Sequence, residues 1–166
     1  VATTIITSLN GINLREQISS VPGAKVCDAS EYEGLKRMGV TKMFEGEKLY
    51  FAPAHLMLSR RWECIISAID GLIWKIKLIC FADDGEFNFE TTNAAKTMLE
   101  AEMGMADDFD IVGGFTLMTW EAEAGNVILE MGGLHNSIIL TSSVVRGAKP
   151  PGLFARLTGK KWQPPF

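Results

Sequence analysis

A chain of 166 residues, 47% hydrophobic and 22% charged, lies within ordinary globular usage. That excludes disordered and fibrous classes and is enough to bury one core without disulfide or metal staples. Net charge is −4 overall but +5 over residues 146–166, which hold no acid, so residues 1–145 carry −9.

Three widely spaced cysteines, Cys27, Cys64 and Cys80, form no C-x-x-C pair and no disulfide framework, which favours a reducing compartment and a cytoplasmic protein. Because the first residue is not Met, a processed and exported protein stays open. The most apolar stretch, 64–81, is interrupted by Asp70, Gly71, Lys75 and Lys77, so no transmembrane helix is expected.

Val1 to Ser8 reads as a short strand or extended arm, and Leu14 to Ser19 as a brief helix stopped by Pro22-Gly23. Ser30 and Glu33 have capping-box spacing and Gly39 suits a C-cap, which predicts a helix over Ser30 to Met38. Met43-Phe44 and Lys48 to Phe51 flank Glu45-Gly46-Glu47 as a first hairpin ended by Pro53, and His55 to Ser59 is ambiguous. In Trp62 to Phe81, Asp70-Gly71 predicts a type I′ turn with Ile69 opposite Leu72. An unbroken register then places Ile65, Ile69, Leu72, Trp74, Ile76 and Leu78 on a core face. Cys64, Ile66, Lys75, Lys77 and Ile79 fall on a wetter one.

Asp83-Asp84-Gly85-Glu86 reads as a turn before the main helix, capped by Thr91 or Thr92, with Ala95, Met98, Leu99, Glu102 and Met103 on one stripe before Gly104. An acidic loop, Met105 to Asp110, precedes a three-strand meander at Ile111 to Trp120, Asn126 to Met131 and Ser137 to Val145. The expected fold is α+β, a mostly antiparallel sheet of about five to six strands in two hairpin or meander groups. One main helix packs on it, preceded by short N-terminal helices and followed by an irregular C-terminal tail. Residues 1–145 form one domain. The basic, Pro- and aromatic-containing tail, 146–166, packs on its own body or a partner's.

Catalytic signatures are sparse. His55 and His135 have no neighbouring ligand pair for a metal, and His135 reads as a solvated loop residue; either could serve as a general base beside a carboxylate. No G-x-S-x-G, phosphate-binding glycine loop or complete calcium loop occurs, so neither cofactor nor metal is expected. Cys27 adjoins Asp28, which raises a thiol pKa and argues against a nucleophile.

The leading expectation is a non-enzymatic protein-binding module, of adaptor or immunity type, a layout shared by many small bacterial modules. Its contact candidates are Arg60, Arg61, Asp107, Asp108, Asp110, Lys160, Lys161 and Trp162, with another protein or a second copy as partner. The acidic body argues against nucleic acid. The alternative is a small-ligand pocket between sheet and helix lined by Trp74, Met98, Met103, Phe115 and Trp120. A small enzyme using a loop histidine is third.

Overall fold

The computed structural model describes residues 8–9, 11–81, 89–121, 125–132 and 135–141. In chain order they form β1 (Ser8–Leu9), β2 (Ile12–Asn13), a 3-10 turn (Ile18–Ser20), β3 (Lys25–Val26), α1 (Ala29–Arg37), β4 (Glu47–Met57), β5 (Arg60–Ile69) and β6 (Leu72–Phe81). After these come α2 (Phe89–Met103), β7 (Asp108–Val112), β8 (Phe115–Glu121), β9 (Asn126–Met131) and β10 (His135–Thr141). No described helix is long and apolar enough to cross a membrane.

β1 and β2 pair in a small ribbon, and the other eight strands form one sheet in the order β3-β4-β5-β6-β10-β9-β8-β7. Every adjacent pair is antiparallel. The α+β, mostly antiparallel class therefore stands. The strand number and the two separate groups do not, because β10 returns to the middle and pairs with β6, fusing both meanders into one sheet.

Three local features account for the differences. β4 runs through Pro53 rather than ending there. The register shifts between Ala52 and His55, and a bulge is a place where a residue without an N–H is tolerated. The β4–β5 hairpin turns on Leu58 and Ser59, both with positive φ (54° and 58°), a conformation that neither residue type signals in advance. Gly113 and Gly114, at φ 57° and 83°, split the single run expected from Ile111 to Trp120 into the β7–β8 hairpin.

Two helices fall close to expectation, whereas the brief helix expected over Leu14 to Ser19 is replaced by the 3-10 turn Ile18–Ser20. α1 is capped two residues earlier than Ser30: the Asp28 carboxylate accepts the Glu31 N–H at 2.8 Å and the Glu31 carboxylate accepts the Asp28 N–H at 3.1 Å. α2 starts before Thr91 and Thr92, which are buried within it, while Glu102 is exposed and lies off the packed stripe. The turn expected at Asp83 to Glu86, the end of the last strand beyond Thr141, and the tail lie outside the described residues.

The Asp70-Gly71 turn and the Ile69–Leu72 pairing are as expected. The facial assignment beyond them is overturned. A bulge between Ser67 and Ala68 makes Trp74 an extra residue, so Ile66 faces Ile76 and Ile65 faces Lys77. One inserted residue exchanges the two faces of everything beyond it. Cys64, Ile66, Ile76 and Leu78 therefore join Leu129, Ile138 and Leu140 in the main core, beneath Ala95 and Leu99 of α2, Ile12 of the ribbon and Leu14 just after it. Ile65 and Ile79 lie on the other face under Leu35 of α1 and Val40.

Trp62 and Trp120 close the ends of the main core, with indole N–H groups donating to the Met57 and Gly104 carbonyls at 2.9 Å each.

Candidate functional site

The face that carries α1 is chemically unlike the one that carries α2. Directly opposed residues share a face, and the register sets out three rows across the sheet centre. Leu117, Glu130, Ser137 and Ile79 form the first row; Thr119, Ile128, Ile139, Lys77 and Ile65 the second; and Asn126, Thr141, Lys75 and Ser67 the third. Polar groups thus recur across a face that is largely buried.

In the first two rows, Lys77 Nζ lies 3.3 Å from Glu130 Oε2, the lysine side chain 8% and the glutamate side chain 23% exposed. Charge pairing within a largely dehydrated face offsets the desolvation of each ion, and losing one partner strands the other. Beside the pair, His135 is the first residue of β10, buried rather than in a solvated loop, with its ring between those of Phe115 (5.1 Å) and Phe81 (6.1 Å). Burial pushes its pKa below the ordinary 6.5, Lys77 pushes it the same way and Glu130 pulls it back, so the imidazole is neutral at pH 7. Phe115 packs over Gly132, where any side chain would collide with the ring.

Two cavities flank Met38 at the C-terminal end of α1. One of about 310 Å³ is almost wholly apolar, between α1 and Phe51, Ile65, Ile79 and Phe81. The other, about 230 Å³, is bounded by Lys77, Glu130, His135, Phe115 and Leu117.

The third row is built differently. Among the described residues Lys75 has no ion-pair partner; its Nζ lies 4.9 Å from the Trp74 ring centroid. Its direct neighbours across the sheet are Ser67 and Thr141. Burial pushes the Lys75 pKa below its ordinary 10.5, with Glu47 opposing, Lys77 adding to the shift and Glu130 opposing. Ser67 Oγ, Thr141 Oγ1, Trp74 Nε1 and Glu47 Oε1 are all buried without a hydrogen-bond partner among the described residues. The other Glu47 oxygen accepts the Met43 and Phe44 N–H groups at 2.6 and 3.0 Å. Each unsatisfied buried group costs about 1–3 kcal/mol.

The acidic cluster lies at the far edge. β7 is exposed along its whole length, including Phe109, Ile111 and Val112, and Met105 just before it is 88% exposed. A two-residue turn makes Val112 and Phe115 a mutually hydrogen-bonded pair, so by alternation the N–H groups of Phe109 and Ile111 point away from the sheet. The Asp108 and Asp110 carboxylates accept them, at 2.9 and 2.8 Å. Asp107 accepts the Glu121 N–H at 2.7 Å. Asp108 and Asp110 therefore occupy the edge's own outward backbone donors, which protects an open strand from adding another, while Asp107 caps the end of the neighbouring β8.

The remaining contact candidates are dispersed. Arg61 pairs with Glu63 at 2.8 Å at the start of β5, and Arg60 stands beside it. Five strand spacings, about 24 Å, separate β5 from β7. Lys160, Lys161 and Trp162 lie outside the described residues. His55 is in β4 opposite Trp62, a strand position rather than a loop.

The five residues expected to line one pocket are divided between the faces. Met98, Met103 and Trp120 pack in the α2-side core, whereas Trp74 packs with Phe44 and Ile69 on the other face and Phe115 borders the smaller cavity there. Sequence reading passed over Lys75, Lys77, Glu130, Ser67, Ser137 and Thr141 as site residues. The alternation of Lys75 and Lys77 was the available signal, and it was read as a solvated surface. Cys27 is half-buried, and burial together with Glu31 and Asp28 raises its pKa to about 11, so the thiol stays protonated at neutral pH.

Compared with family models, curated proteins and solved structures, the chain matches none, so its function rests on the geometry of these sites.

Proposed function

We propose that the protein is a non-enzymatic binding module that receives a protein segment of apolar and basic character on the β7 edge. The observation that carries this reading is the exposure of Phe109, Ile111 and Val112 on a strand whose outward N–H groups are already occupied. Apolar side chains left bare on an edge are a liability unless a partner covers them. The acids between them favour a partner with Lys or Arg at alternate positions. Because the backbone donors are engaged, recognition proceeds through side chains rather than by strand addition.

The test compares the wild type with Phe109→Ser/Ile111→Ser, both carrying a photo-crosslinker at Thr116. The wild type is expected to yield one stoichiometric cross-linked partner, and the variant none, at an unchanged melting temperature. An identical cross-linking pattern for both would overturn the reading.

The cavities beside Met38 favour a second reading, a small-ligand site on the α1 side. The larger one reaches the lower end of the range for ligand pockets. Its apolar wall and the neutral Lys77–Glu130 pair fit an uncharged amphipathic molecule.

A further inference from the structure

We propose that Lys75 is the centre of an oxyanion-binding site, taking a carboxylate or a phosphate group, with Ser67, Thr141 and Trp74 as the further donors. The inference is independent of the β7 reading.

Six buried side-chain polar atoms have no hydrogen-bond partner among the described residues, and four of them belong to residues grouped around this one lysine. Ser67 and Thr141 are its two direct neighbours across the sheet. Trp74 precedes it in the chain and shares the bulge that turns both side chains to the same face. Orphans scattered through a fold would be packing compromises. Orphans gathered at an unpaired cation are a set of donors with a common acceptor missing.

The chemistry of the set selects the ligand. Two hydroxyls, an indole N–H and an ammonium can all donate, and the indole and ammonium cannot accept. A group offering several acceptor lone pairs and a negative charge satisfies them together, and a neutral ligand leaves the ammonium uncompensated. Glu47 and Glu130 both act electrostatically on Lys75, yet neither reaches ion-pair distance. Glu47 holds two backbone amides with one oxygen and Glu130 is committed to Lys77. The unpartnered Glu47 Oε1 can accept a proton-bearing oxygen, which a hydrogen phosphate has and an ionised carboxylate lacks.

The experiment titrates the full chain with inorganic phosphate, acetate and succinate at constant ionic strength and pH 7.0, against chloride, reading melting temperature and calorimetric heat. A saturable rise in melting temperature of several degrees is expected with phosphate or with the carboxylates but not with chloride; which salt acts identifies the group. Lys75→Met should keep the circular dichroism spectrum, melt higher than the wild type without any salt, and lose the saturable response. Ser67→Ala should fold as well as the wild type and bind at least ten-fold more weakly. A response equal in wild type and Lys75→Met, or none with any oxyanion, would overturn the proposal and assign the orphaned atoms to buried water.

Discussion

The two faces of one sheet solve the same burial problem in opposite ways. Beneath α2, the side chains of β5, β6, β10 and β9 are apolar except for the buried Asn136, and the two tryptophans of that core have satisfied indole groups. Beneath α1, the same four strands present Ser67, Lys75, Lys77, Ser137, Thr141 and Glu130, with orphaned hydroxyls and two cavities. A packed face contributes stability from transfer and dispersion. A polar buried face contributes little or costs stability, and it is on this side that the proposed oxyanion site lies.

The comparison breaks most visibly at Leu129, fully buried in the α2-side core. Leu129→Ala should lose about 2–5 kcal/mol of unfolding free energy, measured by urea denaturation. If the loss is below about 1 kcal/mol, that face is looser than its packing implies.

A smaller effect should follow on the other side from Lys77→Met. It strands Glu130 and should cost about 2 kcal/mol, less than a fully buried pair because Glu130 keeps some solvent contact. Adding Glu130→Leu should recover most of it. A double variant no better than the single would show that packing, not the stranded charge, sets the cost.

The smallest effect is on pH. His135 has a folded pKa below its unfolded value, so the stabilising neutral form is fully present above about pH 6.5 and its contribution is lost as pH falls through the folded pKa. Protonation there is opposed by burial and by Lys77 and favoured by Glu130, with Phe81 and Phe115 supplying no countercharge. Chemical denaturation between pH 7.5 and 5 should show stability falling for the wild type more steeply than for His135→Gln. Parallel curves would place the imidazole in contact with water.

Residue pattern alone determined the antiparallel α+β class, both main helices, the Asp70-Gly71 hairpin and the stretches that hold β8 and β9, because each rests on interactions within about twenty residues. Glycine turns, capping residues and helical periodicity act locally and read locally. The expected α2 stripe of Ala95, Met98, Leu99, Glu102 and Met103 survived for that reason at every position but the exposed Glu102.

Only the tertiary structure decided which face of each strand is core. The bulge at Trp74 carries no local signal, yet it exchanges the faces of β6 relative to β5 and moves Lys77 from an expected surface to a buried position, with Lys75 half-buried on the same face. The pairing of β10 with β6 is likewise a contact between segments some sixty residues apart, set by which faces can be buried together. The aspartates were legible as a cluster, but Asp108 and Asp110 were not legible as the groups that occupy their own strand's free N–H donors, because that depends on β7 being an edge. The candidate sites arise from these long-range choices: a lysine becomes a binding centre only when the sheet brings two hydroxyls beside it and leaves them without a partner.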